Sequence, residues 1–96
     1  MDPERLKSRI AEAKKGGRLN LSYLKIAELS PNTINQIKTS LPQLHEIDLR
    51  GNLLTDLPKE IGELSSLRVI RLSFNKFGEL PDVLAAAFAE SARGGF

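Results

Sequence analysis

The chain has 96 residues, 41% of them apolar, with 14 Lys and Arg against 12 Asp and Glu and a net charge of +2. That describes one small domain of globular composition, with a charge excess too slight to imply a nucleic-acid partner. Cysteine is absent, which excludes a disulfide framework, a thiolate metal site and a cysteine nucleophile, and fits an intracellular, cytoplasmic protein.

The opening Met1-Asp2-Pro3-Glu4-Arg5 lacks the basic-then-apolar layout of a signal peptide. It reads instead as the start of a helix over residues 3–15. Asp2 can cap it, Pro3 suits its first position and Glu4 sits near its positive end. Leu6, Ile10 and Ala13 form one apolar stripe, Lys14 and Lys15 fall in the last turn, and Gly16-Gly17 stops the helix. Residues 1–17 are therefore expected to cover an apolar edge as a helical cap. The Lys14, Lys15 and Arg18 cluster is read as a solvated helix end.

The next unit, residues 18–43, is an altered copy of the repeat that begins at Leu44. Leu19, Leu21, Ile26 and Leu29 match Ile47, Leu49, Leu54 and Leu57 at an offset of 28. Its turn position carries Leu24. Ile34, Ile37, Leu41 and Leu44 then stand 3, 4 and 3 apart, the spacing of an amphipathic helix. Ser30 or Asn32 can cap that helix, Pro31 suits its first turn and Pro42 ends it.

Two regular repeats come next, at 44–66 and 67–84. Leu44, Ile47, Leu49, Asn52, Leu54, Leu57, Pro58, Ile61 and Leu64 form one series. Leu67, Ile70, Leu72, Asn75, Phe77, Leu80, Pro81 and Leu84 form the other, each matched residue offset by 23. In Ile47-Asp48-Leu49 and Ile70-Arg71-Leu72 the apolar residues alternate, as on one face of a strand. Three residues make too short a strand to stand alone, so each needs its copy stacked beside it, and strands entered from the same direction are parallel. Asn52 and Asn75 sit where the chain leaves the strand, where an amide can satisfy backbone groups opened by the turn. Ile61 and Leu64 read as the inner edge of a short helical turn. Residues 85–96, rich in alanine, are either a helical cap or a truncated tail.

The segment from Leu44 to Leu54, with its copy from Leu67 to Phe77, resembles the signature of leucine-rich-repeat proteins. The Leu57-Pro58 and Leu80-Pro81 placements resemble the 23-residue subtype common in intracellular signalling and adaptor proteins. The resemblance implies an α/β solenoid: parallel strands on a concave side, helical or irregular segments on the convex side, and a helical N-terminal cap. It also implies protein binding as the usual role.

Catalytic and metal-binding arrangements are not evident. His45 is the one histidine, at the entry to a strand, and reads as a surface residue. No serine lies in a glycine-flanked elbow. Gly16-Gly17 lacks the companions of a phosphate loop. Glu60 and Glu63 lie on the convex side. Neither enzyme activity nor a cofactor is expected, and no apolar run reaches the roughly 20 residues of a membrane helix.

The concave face differs, because stacking would align scattered residues into four columns: Arg18-Glu46-Val69, Asn20-Asp48-Arg71, Ser22-Arg50-Ser73 and Tyr23-Gly51-Phe74. Gly51 is expected to leave a shallow gap between two exposed rings. Aromatic and arginine side chains are the types that most often carry interface energy. A protein-interaction module of adaptor or scaffold type, presenting this face, is the expected function. Two other readings stay open: the N-terminal capping part of a larger repeat protein, and a weak nucleic-acid contact through Arg50, Arg68 and Arg71. Glu46 and Asp48 would weaken the field of those arginines.

Overall fold

A computed structural model describes residues 2–77; Leu80, Pro81, Leu84 and the 85–96 segment lie outside the described residues. Helix α1 (Pro3–Gly16) is capped as its sequence suggests. Asp2 accepts a hydrogen bond from the Glu4 N–H at 3.0 Å. At the other end Gly17 takes φ 72°, and its N–H donates to the Ala13 carbonyl at 2.8 Å. Leu6, Ile10 and Ala13 are buried and α1 packs on strand β1 (Arg18–Asn20). The helix runs one residue past the expected span.

Strands β2 (Glu46–Asp48) and β3 (Val69–Arg71) complete a parallel sheet in the order β1-β2-β3. The register aligns Arg18, Glu46 and Val69 in one row, Leu19, Ile47 and Ile70 in the next, and Asn20, Asp48 and Arg71 in the third. Backbone bonds carry the pairing beyond the strands. Tyr23 N–H donates to Arg50 O at 2.9 Å, and Gly51 N–H to Ser73 O at 2.9 Å. Below the strands, the Gly17 carbonyl accepts from the N–H groups of His45 and Glu46, and the His45 carbonyl from those of Arg68 and Val69. Each coil is thus sewn to the next along the whole strand.

The return segments differ in length and hence in conformation. In the first coil, helix α2 (Pro31–Ser40) begins at Ser30, whose hydroxyl accepts the Thr33 N–H at 3.2 Å, and Ile34 and Ile37 face inward. In the second coil the five residues Lys59–Glu63 form a 3₁₀ helix that buries Ile61. Between the two sides lies one apolar core from Leu6 to Leu72, with Leu21, Ile47, Leu49, Leu54 and Ile70 wholly enclosed, and with Leu57 inside and Phe77 packed at its margin. Each such buried side chain contributes about 1.5–3 kcal/mol relative to exposure.

The asparagines act across coils. Asn52 is buried; its Nδ2 donates to the carbonyls of Leu49 in its own coil and Leu21 in the one before, both at 2.9 Å. Its Oδ1 accepts from the N–H groups of Leu24 and Ile26 at 3.1 and 3.0 Å. Asn75 repeats the pattern on Leu72, Leu49 and the Leu54 N–H. Every amide serves the coil that precedes it. The first coil is preceded by α1, a helix that satisfies its own backbone, so Leu24 at the equivalent position packs against the core instead.

Candidate functional site

Strand alternation sends Leu19, Ile47 and Ile70 inward and their neighbours outward, so the first two expected columns are those of the observed register. The third follows from the Tyr23-to-Arg50 and Gly51-to-Ser73 bonds, which set Ser22 beside Arg50 and Arg50 beside Ser73. Arg18, Asn20, Tyr23, Arg50, Arg71 and Phe74 are exposed, while Ser22, Glu46, Val69 and Ser73 are half-buried.

Asp48 departs from the expectation. It is buried, and Arg50 lies over it in a two-pronged ion pair, Nε to Oδ1 at 3.0 Å and Nη2 to Oδ2 at 2.8 Å. The Arg50 N–H adds a third bond to Oδ1 at 3.1 Å. Burial pushes the Asp48 carboxyl up. The Arg50 hydrogen bonds, with the charges of Arg50 and Arg71, outweigh burial and hold it below the ordinary carboxylate range. Asp48 is therefore a brace beneath Arg50 and is removed from the outward set. In the first coil Asn20 makes the same turn without charge, accepting from the N–H of Ser22 at 3.0 Å and its hydroxyl at 2.7 Å.

Arg71 stands beside Asp48 in register and pairs with Glu46, Nε to Oε2 at 3.4 Å. The result is a vertical sorting of charge. The side chains of Arg50 and Arg71 are 44% and 46% exposed, whereas those of their carboxylate partners are 11% and 16% exposed. Arginine is the outermost charge of this face.

Gly51 departs as well. The expected gap is closed, because the Tyr23 ring lies where a Gly51 side chain would be; a Cβ there would collide with Tyr23 Cδ1 and Cε1. Tyr23, Gly51 and Phe74 also share a backbone shape that the residue pattern did not reveal: φ is 56°, 70° and 63°. Glycine takes that left-handed region freely, whereas a bulky residue there costs about 1–3 kcal/mol. Tyr23 and Phe74 are nevertheless 65% and 77% exposed, so burial returns little against that cost. The glycine in the middle of the column was the available signal, since stacked coils share their turns.

His45, expected at the surface, is half-buried with its ring against Gly17, where a Cβ would meet Nδ1 at 2.5 Å. With exposed Lys14 and Lys15 it lines an open cleft of about 410 Å³ beside the end of α1, away from the strand face. Among the described residues no group of three His, Asp or Glu could hold a metal ion, and no helix is long and apolar enough to cross a membrane.

The Leucine Rich Repeat family model matches residues 43–64 and 66–86. Dynein regulatory complex subunit 7 of Chlamydomonas reinhardtii is 38% identical over 71 residues, 74% of this chain and 6% of that protein. Leucine-rich repeat and WD repeat-containing protein 1 of Mus musculus is 41% identical over 64 residues, 65% of this chain and 9% of that protein. The chain thus spans less than a tenth of the length of either relative. Among solved structures, one from the Chaetomium Mex67:Mtr2 subunits superposes with a TM-score of 0.61 at 17% identity, covering 92% of this chain and 69% of that one, which is a likeness of fold.

Proposed function

From a chain that carries leucine-rich repeats and folds as a short leucine-rich-repeat solenoid, we propose a non-catalytic protein-interaction module, of adaptor or scaffold type, that binds through its strand face. The observation that carries this is the row of outward arginines beside two exposed aromatic residues at left-handed backbone positions. A ring held at a conformational cost and left in water contributes to the molecule only when something covers it. One relative is by name a subunit of a regulatory complex, and assembly with other chains inside the cell is the proposed role. The capping reading is less favoured, because a purely structural coil has no use for the exposed Phe74 ring.

Pull-down from the native source with the chain and three folded variants tests the face. Phe74→Ala and Arg71→Glu should each weaken retention of a specific protein at least about 25-fold in affinity, the equivalent of ~2 kcal/mol for a central contact. Lys59→Glu, on the convex 3₁₀ helix, should change little, since an exposed charge is solvated and screened. Arg71→Glu sets a second carboxylate against Glu46, so its melting curve must be measured alongside. Full retention by both face variants, with loss in Lys59→Glu, moves the site to the convex surface.

A further inference from the structure

The three described strands present a narrow strip of surface to a partner. Two strand-to-strand steps make it roughly 10 Å wide, and the run from Arg18 to Tyr23 makes it roughly 16 Å long. A standard interface between folded domains covers about 800 Å² on each side, well beyond such a patch. A single extended segment of about five residues has the matching length.

Charge and apolarity are separated along that run. Arg18 stands at the start of the strands beside the half-buried Glu46; Arg71 ends β3 in register with Asp48 and reaches back to Glu46, and Arg50 comes after it, over Asp48. No ion pair involves Arg18 among the described residues. At the far end is the ledge made by the Tyr23 ring over Gly51 with Phe74 beside it. Asp48 holds the Arg50 guanidinium by two prongs, Glu46 meets Arg71 at one nitrogen, and part of each arginine stays exposed. Pre-positioned guanidinium groups recognise carboxylates with little further loss of side-chain freedom. Three arginines less two acids leave one net positive charge, which suits a short segment with few carboxylates and not a backbone with a phosphate at every residue.

Resting on the strand-face reading, we propose that this face takes an acidic linear peptide segment. Its carboxylates meet Arg18, Arg50 and Arg71, and one bulky apolar side chain settles on the Tyr23–Phe74 ledge. The segment lies along the strands, with its apolar residue at the end where β1 and β2 run out into their turns. Neither half of the surface suffices alone: the arginines choose the charge, and the ledge fixes the register.

The molecule carries its own reporter. Tyr23 is the only tyrosine and there is no tryptophan, so intrinsic fluorescence arises from the ledge itself. Random twelve-residue peptides lacking Tyr and Trp are displayed and selected on the full chain, and the enriched ones are synthesised and titrated against it. The expected peptides carry net negative charge around a Leu, Ile, Met or Phe, change the tyrosine emission saturably, and bind more weakly as salt rises. Arg71→Gln and Phe74→Gly should each raise Kd about tenfold or more. Phe74→Gly is the structurally mild variant, since the backbone there already has the shape glycine prefers. Neutral or basic peptides that still move the tyrosine signal and need Phe74 would overturn the acidic preference and leave the strand-face reading standing. Acidic peptides that bind without changing the signal, and equally to both variants, would overturn both. No enrichment defeats the linear-segment proposal, while the pull-down still decides the face. A stronger tyrosine response to single-stranded polyuridylate than to any peptide would replace this partner with nucleic acid.

Discussion

The first and second coils share a strand register to the residue, and they differ wherever the chain leaves the sheet. The first returns over α2 and the second over five residues of 3₁₀ helix. The first makes its strand-end turn with neutral Asn20, and the second with Asp48 locked to Arg50. The second supplies an asparagine to its predecessor, whereas the first has Leu24 and no coil to serve. Stacking fixes the strand side, because one slip would break every inter-coil bond and turn the apolar row to water. The outer side has only to close the loop with an apolar edge inward. Its length and helix type are therefore free.

The most drastic way to break this comparison is to remove what stands in for a coil before the first. Deletion of residues 1–16, which leaves the Gly17 carbonyl in place for β2, should expose Leu19 and Leu21 and abolish cooperative unfolding. Light scattering and a thermal melt would show it. A monomeric chain melting like the full one would mean that α1 is no cap.

Exchanging the turn residues sharpens the contrast. Asn52→Leu gives the second coil the residue of the first and strips partners from the Leu24 and Ile26 amides and the Leu21 and Leu49 carbonyls. A loss of about 3–5 kcal/mol in denaturant melts is expected. The reverse change, Leu24→Asn, finds no preceding turn to join and gives up packing against the core. It should destabilise by about 1 kcal/mol, and any gain in stability would contradict the one-way account of the asparagines.

The smallest effect concerns the two strand-end turns. A carboxyl whose pKa is depressed on folding stabilises fully above its unfolded pKa, and that contribution is lost as pH falls through the folded value. Asp48 is such a group, so its share of the stability fades on acidification below the ordinary carboxylate range. Asp48→Asn makes the second turn like the Asn20 turn of the first. The gap between the melting temperatures of parent and variant should narrow as pH falls through that range. A gap that stays constant across it would show that Asp48 contributes no titratable stability.

Most of the architecture was legible because stacked coils write it twice. The 23-residue recurrence located β2 and β3, and the Leu19–Leu21 match found β1 despite a different offset. Leu6, Ile10 and Ala13 gave α1 its buried face, and Ser30 with Pro31 gave α2 its start. The face was legible as columns, since alternation follows from the strand. What escaped was how side chains in those columns use one another. Asp48 and Arg50 lie two apart on one face, and that spacing permits an ion pair without saying which partner is covered. Gly51 suggested an empty place, yet Tyr23 comes from 28 residues earlier to fill it. Backbone sign was hidden too, because neither tyrosine nor phenylalanine announces a positive φ by its chemistry.

The backward reach of the asparagines gives the molecule a direction in time. On the ribosome the first coil emerges ahead of Asn52, so its Leu24 and Ile26 amides remain bonded to water until the second coil is out. The second coil waits in turn for Asn75, which completes the Leu54 amide. Each coil is finished by its successor, as a stitch is held by the one after it. Shortening such a chain from its C-terminal side therefore loosens the coil behind the cut as well as removing the one beyond it.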